Sequence, residues 1–518
     1  MKGNIRVNFV LAVGALLVGM LLGVQDSSAT GSTPIICRFC PPANPLAGLP
    51  SPQSLLIIAP DGFLLAVQPL VQHKNSTSMP TVAVSISSLT RYFAGADDPE
   101  KIKRAILYAH KNLSTQYVML VGDAHWFPVR YEFFQGLTGG YPVDGDYIPS
   151  DLYYANLYHH QVVSFGGGPL VFPITFDSWD ANGNGRYNES IWESNSPNPD
   201  NVDGYPDVAV GRVPAHSAAD VTTFVNKIIF YETQQLNHVF FTFVADNNYS
   251  VTDCQHASPG NCASDISTQI VANSGLRAFD VFPLINSTAT PVSPWFRAQT
   301  VDVANLANAS VWVSYVGHGS RSGWNGPGAD LVQDTANNTA LPVVFAAGCS
   351  TGAFAPEAPG ISTYDYQDVS GQLRSFQAQT RFGRTRIVDT ITGQTWGLCP
   401  GCRPLPMTTP QPNPYDFNEG AFGFAYPWLI QYPKAGAIAY FGEVSVASDW
   451  MGAELETDML AAYQGGSRVL GSIYLAGEQA YWNNHYLSNN GTTSDAQSPP
   501  RYYLGWMVFF GDPSLRML

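Results

Sequence analysis

The sequence predicts an α/β protein built on a mostly parallel sheet in two units, and three observations carry that prediction. Apolar runs of strand length alternate with stretches of helical spacing from "SLLIIAPDGF" to "QYVMLVGDAHWFP", the rhythm of a parallel sheet with crossover helices. The same rhythm begins again at "HVFFTFVADNN". In this second set two runs, "VWVSYVGHGS" and "LPVVFAAGCSTG", each end at a glycine beside a chemically active side chain, His318 and Cys349. Their separation, 349 − 318 = 31 residues, is enough for a strand, a connection and a parallel return to the same sheet edge.

The elements follow in order. After a Pro-rich segment, 30–51, "SLLIIAPDGF" reads as a buried first strand closed by a turn at Pro60-Asp61-Gly62. An apolar-periodic helix to about Val71 and a strand at "TVAVSI" come next. "DDPEKIKRAILYAHKNL" opens with acids and a proline and continues with helical spacing, so its positive dipole end carries negative charge. "QYVMLVGD" is a strand, and residues 141–212 read as loop-rich. A helix at "SAADVTTFVNKIIFYETQQ" leads to a boundary near residue 235, giving units of 52–235 and 236–518. The second unit holds His318 and Cys349, an irregular insertion of about 351–426, the strand "GAIAYFGEVS", a helix around Thr457 to Tyr463 and a terminal apolar run.

Composition narrows the function classes. The 25 basic residues stand against 40 acidic ones, a net charge of −15 with no basic stripe, which argues against a nucleic-acid partner. The one dense basic cluster, "RFGRTR" from Arg381 to Arg386, reads as an exposed loop or a processing site. Residues 1–29 have the layout of a secretory signal peptide: Lys2 and Arg6, an apolar core from Phe9 to Val24, then Ser27-Ser28-Ala29. An uncleaved anchor is the runner-up; no other stretch reads as a membrane span, so the mature protein is expected to be exported and soluble.

Seven cysteines occur, and six sort into near pairs: Cys37 with Cys40, Cys254 with Cys262, Cys399 with Cys402. In an oxidising compartment these are expected to be short-loop disulfides, with a zinc site from the two CxxC pairs as the lesser alternative. Cys349 is left over, either buried and inert or reactive. Sequons at Asn75, Asn286 and Asn490 mark surface loops in a host that glycosylates.

Read by itself, Gly-His-Gly at 317–319 is a tight turn that His318 merely caps. Paired with Cys349 at a neighbouring strand end, it becomes one wall of a crevice. "DSWDANGNGRYNE" places Asp180, Asn182 and Asn184 at alternating positions before Gly185, the opening of a calcium loop. Its twelfth position is Ile191 instead of an acid, so an EF-hand is not expected, but a shortened loop using Arg186 and Glu189, with Asp177 from outside, remains. The alternative is an Asx-rich turn that needs no metal. Asp123 and His125 sit at a strand exit and read as turn chemistry. Glu443 and Asp449 follow a later strand and read as solvated loop acids. Ser320 lies beside His318 with no GxSxG elbow.

Eight blocks in order, "YVMLVGD", "IPSDLYY", "WDANGNG", "YPDVAVGRVPA", "YVGHGS", "LPVVFAAGCSTG", "GAIAYFGE" and "FFGDPSL", make the chain resemble the gingipain-type cysteine peptidases of the caspase-like clan. The resemblance runs from about Leu55 to the C-terminus. It implies a caspase-like α/β/α sandwich with two side-by-side subdomains. It also implies His318 as general base, Cys349 as nucleophile, and the amides of Gly319 and Cys349 as the oxyanion hole. Substrates would be proteins or peptides, and a calcium ion would be structural. Transfer of the acyl group to an amine instead of water, and an inactive binding protein on the same scaffold, are the alternatives. The insertion, with Arg374, Arg381, Arg384 and Arg386, reads as a surface elaboration, with a lid or cleavable activation loop as the other reading.

Overall fold

Short runs rich in Val, Ile, Phe and Ala pair into one eleven-stranded sheet. Its strands are β1 (Leu55–Ala59), β2 (Thr81–Ser85), β3 (Tyr117–Val121), β4 (Ala209–Val213), β5 (Phe241–Asp246), β6 (Val281–Asn286), β7 (Phe296–Arg297), β8 (Trp312–Val316), β9 (Val343–Ala347), β10 (Ala439–Glu443) and β11 (Met507–Phe510). Their order across the sheet is β7-β6-β5-β8-β9-β10-β11-β4-β3-β1-β2. The structure, a computed structural model, describes residues 43–517 apart from 125, 136–146, 166–167, 184–186, 189, 192–199, 235–239, 247–261, 278–280, 287–295, 298–299, 322, 326–331, 333–339, 356–361, 368–372, 382–383, 390–394, 397–402, 405–423, 446–448 and 488–499.

Every neighbouring pair is parallel except β10 with β11. Strand direction therefore reverses once, at the centre, and divides the sheet into two halves. The C-terminal strand β11 sits at this seam, aligned with the first half although it comes last in the chain. β1, β3, β4, β8, β9 and β10 are buried along their whole length, as parallel strands covered on both faces must be.

Alternation sorts the large side chains onto two faces. Trp312, Phe345, Phe441 and Phe509 stack in a row on one, their centroids 4.6–6.4 Å apart from strand to strand, and the helices Asp449–Gln464 and Leu470–Tyr481 lie there. Tyr315, Tyr440 and Phe510 line the other, beneath Trp324, Phe424 and Trp428. Aromatic burial on this scale supplies much of the hydrophobic stabilisation, since each such side chain contributes about 1.5–3 kcal/mol.

Helix ends follow their sequence signals. Asp97 caps the helix Asp98–Leu113 by accepting the Glu100 N–H at 3.0 Å, with Pro99 in the first turn. Ser217 and Asp220 form a capping box on Ala218–Thr233. From that helix Lys227 reaches across to donate to the carbonyls of Trp428, Leu429 and Ala435 at 2.7–3.1 Å. Burial lowers its pKa to about 7.

Three parts of the chain depart from the sequence-based expectation. The stretch read as loop-rich contains β4 and an antiparallel hairpin, Tyr158–Phe165 with Gly168–Phe176. β4 was masked by Gly211 and Arg212. Gly211 is needed because any Cβ there would lie 2.6 Å from the Gly511 carbonyl, and Arg212 is neutralised by a distant acid. The hairpin was masked by Pro169 and Pro173, which an unpaired edge tolerates. The insertion is not irregular throughout: the strands Ser362–Gln367, Leu373–Arg381, Arg384–Asp389, Thr395–Trp396 and Arg403–Pro404 form a separate antiparallel sheet. The basic cluster expected in a loop thus lies on the two strands of a hairpin, Arg381 facing Arg384 across it.

One buried acid sets a pH dependence. Glu456, fully buried, accepts from Trp312 Nε1 at 2.7 Å and Ser314 Oγ at 2.8 Å. Burial pushes its pKa up to about 8, against the pull of these two donors. Below the unfolded value of about 4.3 the carboxyl is protonated in both states and favours neither. Between there and about 8 the unfolded chain releases a proton that the folded chain retains, so stability falls as pH rises. Glu456→Gln should remove this component and be more stable than the parent at pH 8 by on the order of a few kcal/mol, the gap closing near pH 4.5. Urea unfolding at several pH values reads this out; a gap that does not change with pH would refute it.

Candidate active site

The parallel register brings the two singled-out residues together. Val316, the last residue of β8, pairs with Ala347, the last of β9. His318 and Cys349 each lie two residues beyond, at matching positions on adjacent strands whose spacing is about 4.8 Å. The ends of β5 and β10 flank them, so four strand termini converge on one carboxyl edge, the edge at which open parallel sheets place ligands. His318 is exposed, and Cys349, which is in no disulfide, is half-buried.

The glycines of the opening motif are required by close approach. Gly317 N–H donates to the Ala347 carbonyl at 3.1 Å, and its φ is +156°. A Cβ on Gly317 would fall 2.4 Å from Cβ of Asp246 and 2.8 Å from Oη of Tyr315. A Cβ on Gly319 would fall 2.6 Å from Cγ2 of Thr351 and 2.9 Å from the Cys349 carbonyl oxygen. At Gly319 the histidine turn thus abuts the cysteine turn with no room for a side chain, while Gly317 packs against Asp246 and Tyr315.

The cysteine turn is held from several directions. Ser350 takes a left-handed backbone, φ +56°, and its N–H donates to the Ser445 carbonyl at 2.8 Å. Thr351 Oγ1 donates to the Gly348 carbonyl at 2.8 Å, and Gly352 N–H to the Glu443 carbonyl at 2.8 Å. β10 therefore serves as a rail for the segment that follows Cys349.

Glu443 is not the solvated loop acid that its sequence position suggested. It ends β10, is fully buried, and accepts from Tyr503 Oη at 2.5 Å. Asp449 opens the helix Asp449–Gln464. Sequence reasoning also missed three residues that contact the histidine turn: Asp246, Tyr315 and Asn325. Asp246 ends a strand beside His318, a signal that could have been read; Tyr315 reads as ordinary core, and nothing in the sequence marks Asn325.

The remaining candidates are placed only in part. Of the loop expected to bind calcium, Asp180 and Asn182 are described, while Asn184, Arg186 and Glu189 lie outside the described residues. Asp200 Oδ1 accepts from Ala181 N–H at 3.0 Å, and Asp177 Oδ1 from Trp179 N–H at 2.9 Å, so carboxylates brace this turn. Among the described residues no group of three or more His, Cys, Asp or Glu could hold a metal ion. The described donors therefore do not by themselves make a cation site. Cys37, Cys40, Cys254, Cys399 and Cys402, expected in disulfides, lie outside the described residues, and Cys262 opens the helix Cys262–Ser274. His125 is likewise outside. Asp123 is bound by His216 Nδ1 as well as by the Trp126 N–H of its turn. Ser320 Oγ donates to the Gly323 carbonyl at 3.3 Å across a short hairpin.

A mostly parallel sheet whose neighbouring carboxyl ends lead into a histidine turn and a cysteine turn makes this an α/β protein, and the family match makes it a cysteine peptidase by class. The sequence profile of peptidase family C25 matches residues 49–374, and the chain belongs to that family. Its fold is that of the gingipains. The Arg-specific cysteine proteinase gingipain R (RgpB) superposes with a TM-score of 0.51 at 15% identity, over 90% of this chain and 80% of that one. The complex of pro- and mature domains of RgpB from Porphyromonas gingivalis gives 0.50 at 15% identity, over 89% and 79%. A further structure described as a protease gives 0.51 at 13% identity, over 90% and 79%. No curated protein matches the chain. Among the described residues no helix is long and apolar enough to cross a membrane.

Proposed function

We propose that the chain is an exported cysteine endopeptidase working through a Cys349/His318 dyad. The observation that carries this is the register. Val316 pairs with Ala347 at the ends of β8 and β9, and His318 and Cys349 each follow two residues on, in turns that meet at Gly319, which supports a shared site on this edge. His318 takes the proton of the Cys349 thiol, the thiolate attacks the scissile carbonyl carbon, and the oxygen that gains charge faces the amides of Gly319 and Cys349. The tetrahedral adduct collapses, the C–N bond breaks, and the leaving amine takes the proton from His318. Water, deprotonated by His318, then attacks the thioester and releases acid and thiol. Export follows from the signal-like residues 1–29.

The test is the iodoacetamide labelling rate of Cys349 from pH 5 to 9, in the parent and in His318→Ala. An activated dyad labels fast at pH 6 and loses that speed in the variant. Labelling that rises only near the reference thiol pKa of about 8.5, indifferent to His318, would refute the reading.

We also propose that the loop at 180–189 takes a structural calcium ion. Asp177 Oδ2 supports this: it is buried beside the loop and has no hydrogen-bond partner among the described residues. Hard oxygen donors of this kind suit calcium. Calcium at a hundred times its Kd should stabilise the fold by about 2.7 kcal/mol over the chelated protein. Identical melting curves with calcium and with chelator would reject the site.

A further inference from the structure

We propose that Tyr315 and Asn325 are positioning residues that fix the histidine turn through its backbone; this rests on the dyad reading above. The His318 carbonyl oxygen accepts two hydrogen bonds, from Tyr315 Oη at 2.6 Å and from the Asn325 N–H at 2.9 Å. The same N–H lies 3.1 Å from Tyr315 Oη, so the three groups close a ring around one carbonyl. Each member is anchored elsewhere. The Tyr315 ring stacks face to face on Trp324, with centroids 4.4 Å apart and planes at 4°. Asn325 donates from Nδ2 to Oδ2 of Asp246 at 2.9 Å, and Asp246 is fully buried at the end of β5.

The ring makes sense for a turn that must be stiff. His318 sits between two glycines, the residues with the greatest backbone freedom, and its side chain is exposed. Gly319 is unavoidable because the cysteine turn lies against it, and Gly317 because Asp246 and Tyr315 do. Hydrogen bonds to the His318 carbonyl supply stiffness that the flanking glycines do not. Tyr315 reaches it from within β8, three residues upstream, and Asn325 from the far side of the short hairpin Gly319–Ser320 with Gly323–Trp324. Neither group touches the substrate bond; each sets the angle at which the imidazole meets the thiol, and misorientation at that step lowers turnover more than binding.

Three variants of the full chain separate this from a merely structural role. Tyr315→Phe retains the stack on Trp324 and removes one donor. Asn325→Ala, at an exposed position, retains the backbone N–H and removes the link to Asp246. Asn325→Asp sets a second carboxylate against the buried one. Peptide hydrolysis and labelling of Cys349 at pH 6 are measured for each, with thermal melts as a folding control. The expected result is kcat lowered about three- to tenfold in the first two and further in Asn325→Asp, with KM within about twofold and pH 6 labelling slowed in parallel. Parent-like kcat and labelling in all three overturn the clamp while leaving the dyad intact. A parent whose labelling ignores His318→Ala overturns the dyad itself, and the clamp with it.

Discussion

His318→Ala is expected to lower kcat/KM for peptide hydrolysis by about 10³- to 10⁴-fold, and Cys349→Ala at least as far. The double variant should be no worse than Cys349→Ala, because the two groups act on one bond-making event and their losses do not add. The geometry gives the reason. On the dyad reading His318 is the general base, and of the described residues around its turn Ser320 is engaged with the Gly323 carbonyl and Asp246 is buried behind Gly317. Folding should be unaffected, since His318 is exposed and the contacts that hold its turn belong to the backbone. Steady-state kinetics on a peptide library, beside thermal melts of the same preparations, checks both parts. Loss of less than tenfold in His318→Ala would remove the histidine from the chemistry.

Asp151→Ala should be among the most destabilising single changes, by about 3–5 kcal/mol. Arg212 is fully buried in β4 and makes a two-pronged pair with Asp151, from Nε and from an η nitrogen, at 2.6 Å each. A third bond runs from Nη1 to the Gly122 carbonyl at 2.9 Å, and the guanidinium lies 4.6 Å from the Phe354 ring centroid. Phe354 belongs to the segment that follows Cys349, so the pair also steadies the thiol side of the site. Removing the acid leaves a guanidinium with no counter-charge at that position. The double change Asp151→Ala/Arg212→Met should recover a substantial part of the loss, since an apolar side chain of similar length does not strand a charge. Urea unfolding of both variants decides it. A cost below about 1 kcal/mol for Asp151→Ala, or no recovery in the double variant, would mean the pair is dispensable.

Much of this was legible beforehand, and the reasons differ from residue to residue. β1, β3, β5, β8, β9 and β10 were visible because a strand buried on both faces must be apolar throughout, and such runs stand out at any position. The helices at 98–113 and 218–233 were visible through their caps. β4 was not, because a buried arginine reads as exposed until its acid, 61 residues away in the chain, is seen beside it. Glu443 misled for the matching reason: a carboxylate at a strand end reads as solvated until Tyr503 is found against it. The hairpin at 158–176 carries two prolines that count against strand in a central position but are harmless in a two-stranded ribbon. The C-terminal run stood out only as apolar, and its place as a strand at the seam with the first half carries no local mark.

Residue type and spacing alone set out the chemistry available: a cysteine left over from three near pairs, a histidine framed by glycines, and apolar runs that end just before each. These are local facts, set by residue type and by spacing along the chain. The fold alone makes the two runs neighbours in matching register, demands Gly319 through contact between two turns and Gly317 through Asp246 and Tyr315, and sets Tyr315, Asn325 and Asp246 around the histidine's backbone. Those facts depend on pairings between residues up to 79 positions apart. A pairing of that kind leaves no pattern in composition or periodicity, because each partner looks ordinary until the fold sets the other beside it.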